Sequence, residues 1–139
     1  MSSRKAGGNL WGPPASQLIL LSDLRSMDKG TKVRFLGCVE RYDVKKGILT
    51  LNHSYPTILP PVSAYVQVDH VLESAHATDL QTGAWINIVG YVGAKGRDAV
   101  QVQAIMMWAA GELKLDEYEE SVNARKVCDI VGLHQTQQF

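Results

Sequence analysis

At 139 residues the chain has room for one domain with short tails, since a domain of this size already buries roughly two-thirds of its unfolded surface and a split into two would leave neither half a core. Apolar residues make up 45% and charged residues 20%, which excludes the disordered class, and no apolar run approaches the ~20 residues of a membrane-spanning helix. Fourteen basic and fourteen acidic residues cancel, so no global field steers the chain toward a polyanion.

Residues 1–16, MSSRKAGGNLWGPPAS, are rich in Ser, Gly and Pro and hold only Leu10 and Trp11 to bury. They read as a mobile tail, with Trp11 the residue able to dock on the body. The basic flank, apolar core and small-residue cleavage site of a secretory leader are missing, so a soluble intracellular chain is expected. Cys38 and Cys128 are far apart and lack CxxC spacing, which points to buried free thiols in a reducing compartment. A short apolar run, Leu18–Leu21, leads through turn chemistry at Lys29-Gly30 into the first long strand.

From Thr31 to Tyr42 the pattern alternates, with Val33, Phe35 and Val39 on one parity and Lys32, Arg34, Cys38 and Tyr42 on the other. Gly37, inside this strand, predicts a bulge or sharp bend. Asp43–Gly47 reads as a hairpin loop returning into Ile48–His53. After a Pro-rich connection, Val62, Ala64, Val66 and Val68 alternate with Ser63, Tyr65, Gln67 and Asp69 as a half-buried strand. The spacing of Val71, Leu72, Ala75 and Leu80 predicts a short helix that Thr82-Gly83 stops. Trp85–Val92 is the fourth strand, 93–98 a second hairpin loop, and Ala99–Trp108 the fifth strand, with Val100, Val102, Ala104 and Met106 facing one way. Five strands with a helix between strands 3 and 4 is the layout of an OB-fold Greek-key barrel. The fold class is therefore all-β with added helices, with the barrel over 17–110.

Residues 111–132 are expected to form a C-terminal helix, capped by Asp116 with Glu119 reaching back three positions and ended by Gly132, leaving 133–139 as a tail. Leu115, Tyr118 and Val122 form one apolar line that Val127 and Val131 continue, so the helix must pack on the barrel or on another chain. The stretch 111–131 holds six acidic residues against three basic ones, an acidic helix on a mildly basic body.

Catalytic signatures are missing: there is no phosphate-binding Gly-rich loop, no GxSxG elbow and no HExxH. His70 and His76 fall on different faces of the predicted helix without a third ligand, so neither metal nor cofactor is expected. His53 and His134 are expected at the surface, and Asp43, Asp69, Asp79 and Asp98 at turns. Binding has better support. Lys45 and Lys46 in the first hairpin, and Lys95 and Arg97 in the second, would flank the groove where an OB barrel lays oligonucleotides. Outward Tyr65, with Tyr42 and Tyr55 near the same loop, could stack bases. The alternative is that the lysines only solubilise the loops and the tyrosines only cover the barrel.

The stretch VRFLGCVERYD (33–43), followed by KKGILTL, YVQVDHVLE and TGAWINIVGYVG, resembles the Ten-one family, the smallest subunit of the telomere-capping CST complex, and its fungal branch most of all. The similarity spans roughly residues 18–131. The resemblance implies a non-catalytic nuclear subunit of the telomeric region that pairs with the middle, Stn-one-type OB-fold subunit as a heterodimer through C-terminal helices. Through that partner it would join the largest CST subunit, protection of single-stranded telomeric DNA, and support of polymerase α–primase fill-in. It carries over no set of DNA-contact residues. A small replication-protein-A-like subunit acting genome-wide in single-stranded DNA binding is the alternative. The helix stripe Leu115, Tyr118, Val122, Val127 and Val131 is expected to be the partner interface, with a lid on the chain's own barrel as the competing role.

Overall fold

Apolar residues at every second position give each strand one face that must leave water, and closing the sheet on itself hides all those faces at once. The structure, a computed structural model, describes residues 15–54 and 62–137, with side chains described except for Ser74, Ala77 and 127–137. Its strands are β1 (Gln17–Leu18), β2 (Lys32–Asp43), β3 (Ile48–Asn52), β4 (Ser63–Gln67), β5 (Trp85–Lys95) and β6 (Ala99–Ala109). They neighbour one another in the order β1-β2-β3-β4-β6-β5, and a further β2–β5 pairing joins the ends. Strands β2 to β6 therefore form the expected closed five-stranded barrel, with β1 added in parallel on β2. The β4–β6 pairing is parallel and the other barrel pairings are antiparallel.

Closure makes β2 pair twice, through Lys32–Cys38 with β5 and through Cys38–Asp43 with β3. Gly37 sits just before the change of partner. A Cβ there would meet Leu51 Cβ at 2.9 Å and Leu21 Cδ1 at 3.1 Å, so close approach, not a bulge, demands the glycine; its register opposite Ile86 is regular. The bulge falls instead between Val39 and Arg41. The interior holds Val33, Phe35, Val66, Val68, Ile86, Ile88, Val100 and Val102, all at most 2% exposed, as the alternation predicts.

Of three register irregularities, after Val39, Val89 and Val92, the first two reverse the expected facing of named residues. Beyond the first, Tyr42 turns inward and packs against the core instead of facing out. In β6, Val89 pairs with Met106 while Gly90 pairs with Ala104, so Ile105 is the extra residue. Met106, expected inside, is 55% exposed, and Met107 takes its place in the core.

The apolar run after β1 becomes a 3-10 segment, Leu21–Ser26, whose Leu21 and Leu24 join the core. The helix expected after β4 is two single turns of 3-10 helix, Leu72–Ser74 and Ala77–Leu80, separated by extended backbone at Ala75. Asp79 explains the restart, because its carboxylate accepts a hydrogen bond from the His76 backbone N–H at 3.2 Å and so begins a new turn. Helix α1 (Leu115–Gln137) starts before Asp116 and runs through Gly132, so neither residue bounds it. Trp11 and Tyr55 lie outside the described residues.

Candidate nucleic-acid groove and helix joint

The outward sides of β2 to β6 build a mainly polar face in two rows. Register places Arg41 opposite Thr50, Thr50 opposite Tyr65, and Tyr65 opposite Gln101. One pleat further on, Asp43, Ile48, Gln67, Gln103 and Tyr91 form the second row. Two adjoining hollows follow these rows. One of about 170 Å³ is lined by Arg41, Asp43, Lys46, Ile48, Thr50 and Tyr65. The other, about 230 Å³, lies beside Gln67, Gly93, Gln101 and Gln103 and shares Ile48 and Tyr65 with the first. Each is smaller than the ~300–1,000 Å³ usual for small-molecule pockets, so this is a surface groove and not an enclosed cofactor site.

The β2–β3 hairpin is fixed at the groove rim. The Gln67 amide donates to the Lys46 carbonyl at 2.9 Å and to Asp69 Oδ1 at 2.9 Å, while the Lys46 N–H donates to Asp43 Oδ1 at 3.2 Å. Gly47 adopts φ +65°, and a Cβ there would collide with Asp69 Oδ1, so only glycine fits both the turn and the contact. The β5–β6 hairpin is tied down from the other side, where Arg25 Nη2 donates to the Arg97 carbonyl at 2.8 Å.

Of the residues expected to meet nucleic acid, Lys46 and Tyr65 line this groove. Lys45, Lys95 and Arg97 are exposed in the two hairpins but line neither hollow. Tyr42 does not belong to the site, because the bulge hands its outward position to Arg41. The amides of Gln101 and Gln103 were legible in the alternation of β6, whereas Arg41 was hidden by the bulge.

A second polar feature joins α1 to the barrel. His53 Nε2 lies 2.7 Å from Glu119 Oε2, with His53 2% and Glu119 8% exposed. The imidazole meets the Trp85 ring edge-on at 5.4 Å and lies 6.4 Å from the Tyr118 ring. His53 is thus not at the surface as expected, and Glu119 holds it instead of closing a capping box. Val122, 1% exposed, follows on the same helical face, and Lys126 Nζ donates to both Asp23 carboxylate oxygens at 3.2 Å. The Tyr118 hydroxyl is buried with no hydrogen bond of good geometry among the described residues. Burial pushes its pKa up, against the weaker pull of Arg34 and the Leu36 backbone N–H. The first half of the stripe therefore turns toward the chain's own barrel. Leu115 is half-buried, and the Val127 and Val131 side chains lie outside the described residues.

Burial also raises the thiol pKa of Cys38, a free, half-buried cysteine. Among the described residues no group of three His, Cys, Asp or Glu could hold a metal ion, and no helix is long and apolar enough to cross a membrane.

A closed Greek-key barrel with a polar groove on its outer face and a helix docked by its first turns defines an OB-fold protein. The comparisons narrow this. A family model described as Ten1, telomere capping, CST complex subunit, matches residues 8–123. The protein ten1 of Schizosaccharomyces pombe is 29% identical over 115 residues, covering 83% of this chain and 98% of that protein. The crystal structure of the S. pombe Stn1–ten1 complex contains a chain 30% identical, with TM-score 0.63 over 84% of this chain and 97% of that one. A structure of telomere capping protein Ten1 from Saccharomyces pombe gives 30% identity and TM-score 0.62 over 82% and 100%. An asparaginyl-tRNA synthetase from Entamoeba histolytica, 15% identical with TM-score 0.51 over 74% of this chain and 25% of that one, shares the fold alone. The chain belongs to the Ten1 family of telomere-capping CST complex subunits, as its strand motifs suggested.

Proposed function

We propose that this chain is the non-catalytic small subunit of a nuclear, telomere-bound assembly, paired with an Stn1-type OB-fold protein. Through that partner it joins the largest CST subunit and supports polymerase α–primase fill-in, while its own groove holds single-stranded telomeric DNA weakly. The S. pombe complex supports the choice of partner, since a chain 30% identical to this one is found there with Stn1.

The observation that carries the reading is the division of labour along α1. Glu119, Val122 and Lys126 attach the helix to the barrel, yet it continues for eleven residues beyond Lys126, to Gln137. At 1.5 Å per residue that is about 16 Å of further helix, carrying Val127 and Val131 four residues apart. A partner helix would meet this extension, with Leu115, Tyr118 and Val122 acting as its foundation. The test is co-expression with the Stn1-type protein of the same organism. Val127→Asp with Val131→Asp should abolish co-purification while the thermal melt of the isolated chain stays unchanged; intact pairing would overturn the assignment.

A further inference from the structure

The groove proposed above to hold nucleic acid is not chemically uniform along its length. Its first row presents, strand by strand, a cation (Arg41), a hydroxyl (Thr50), an aromatic face (Tyr65) and an amide (Gln101). Strands lie ~4.8 Å apart, so these four groups are held on a fixed ruler by the sheet itself. Lys46 adds a second cation at the Arg41 end.

We infer that this row is a reader of one unpaired base, with the nucleotide phosphate at Arg41 and Lys46, the base face on Tyr65 and the base edge on Gln101, and that a purine is favoured over a pyrimidine. The inference rests on the nucleic-acid reading of the groove. A sequence-tolerant channel works by stacking successive bases on several aromatic platforms. Here Tyr65 is the aromatic side chain lining the two hollows, with the Gln101 amide on the next strand to one side and Thr50 to the other. One stacked base with a single amide beside it is an arrangement for discrimination.

The three amides are not equivalent. Gln67 already donates to the Lys46 carbonyl and to Asp69, so it positions the hairpin. Gln103 makes only long contacts, 3.4 Å to the Gln67 and Ala104 carbonyls. Gln101 is exposed beside Tyr65 and makes no side-chain hydrogen bond to another described residue. A primary amide offers one acceptor and a donor pair side by side. Each unpaired purine presents a complement, adenine its N6 amino donor beside a ring-nitrogen acceptor and guanine its N1 donor beside O6. Pyrimidines carry donor–acceptor pairs of the same kind on a shorter base, so with the phosphate held at Arg41 their edges reach the amide less well.

The test is titration of the ¹⁵N-labelled full chain with the trinucleotides d(AAA), d(CCC) and d(TTT), followed by NMR on backbone and glutamine side-chain amides. The Gln101 side-chain resonances should move, and d(AAA) should bind about fivefold or more tightly than the other two, the lower end of what a bidentate base contact supplies. Gln101→Ala should erase the preference while leaving residual binding. Arg41→Ala with Lys46→Ala should weaken all three trinucleotides alike. Equal affinities in the unaltered chain would overturn the base reader but leave the groove reading standing. A preference that survives Gln101→Ala would also overturn it. Shifts from no trinucleotide at any groove residue would remove both readings.

Discussion

Replacing Glu119 by alanine tests the joint on which the placement of α1 depends. The carboxylate lies 2.7 Å from His53 Nε2 with both residues buried, so the bond is made away from competing water. A hydrogen bond to a charged group contributes about 1.5–3 kcal/mol, and truncation also removes the methylenes that fill the joint, so a loss of about 2–3 kcal/mol is expected. In a chain of this length each kcal/mol moves the melting temperature by ~2–4 °C, which gives a fall of about 5–10 °C. Glu119→Gln keeps the shape and one acceptor and should lose only about 1 kcal/mol, the difference between charged and neutral acceptors. Thermal and urea unfolding measure both variants, and near-ultraviolet circular dichroism reports the Trp85 ring that His53 meets edge-on. In a double-mutant cycle, Glu119→Ala and His53→Ala should couple by about 1 kcal/mol or more, as residues in direct contact do. A loss below about 0.5 kcal/mol in Glu119→Ala would place the pair in the range of ordinary surface changes and refute the reasoning.

Tyr118→Phe should leave stability unchanged or raise it by up to about 1 kcal/mol, because the hydroxyl it removes is buried without a good hydrogen bond among the described residues. The folded phenol holds its proton more tightly than the unfolded one. Its contribution is therefore fully present below about pH 10 and is lost as pH rises through the raised folded value, a decline that the Phe variant should lack when urea midpoints are compared from pH 8 to 11. Gly47→Ala should cost about 1–2 kcal/mol for the left-handed backbone alone, and more for the collision with Asp69. Adding Asp69→Ala should recover the collision part in denaturant titrations and leave the backbone part.

The barrel was legible because its signal is period two and its inward residues are large and apolar. Every strand that alternates cleanly, such as β4 with Ala64 and Val66 inside, was placed correctly on its faces. Bulges defeated the same rule. One extra residue at Ile105 exposes Met106 and buries Met107, and the irregularity after Val39 moves Arg41 into the groove in place of Tyr42. Nothing in a single strand's pattern announces such an insertion, because the bulge is a relation between two strands. The loss fell on the candidate site for that reason: a groove on a curved sheet is assembled where the sheet bends.

Glu119 shows the other limit. Three residues after Asp116 at a helix start, a glutamate satisfies the local rule for a capping box, and local spacing is all that a sequence window offers. The partner it takes, His53, is 66 positions away, and only closure of the barrel brings the end of β3 beneath the helix. The same contact changes how partner experiments on this helix must be interpreted. Tyr118 and Val122 sit in the joint, so truncating them releases the helix from the barrel and also removes the platform on which the extension to Gln137 stands. Lost pairing in such variants would follow equally from a dislodged helix and from a deleted contact. Substitutions beyond Lys126 separate the two causes, since they leave the His53–Glu119 and Asp23–Lys126 attachments intact while altering the segment proposed to meet the partner.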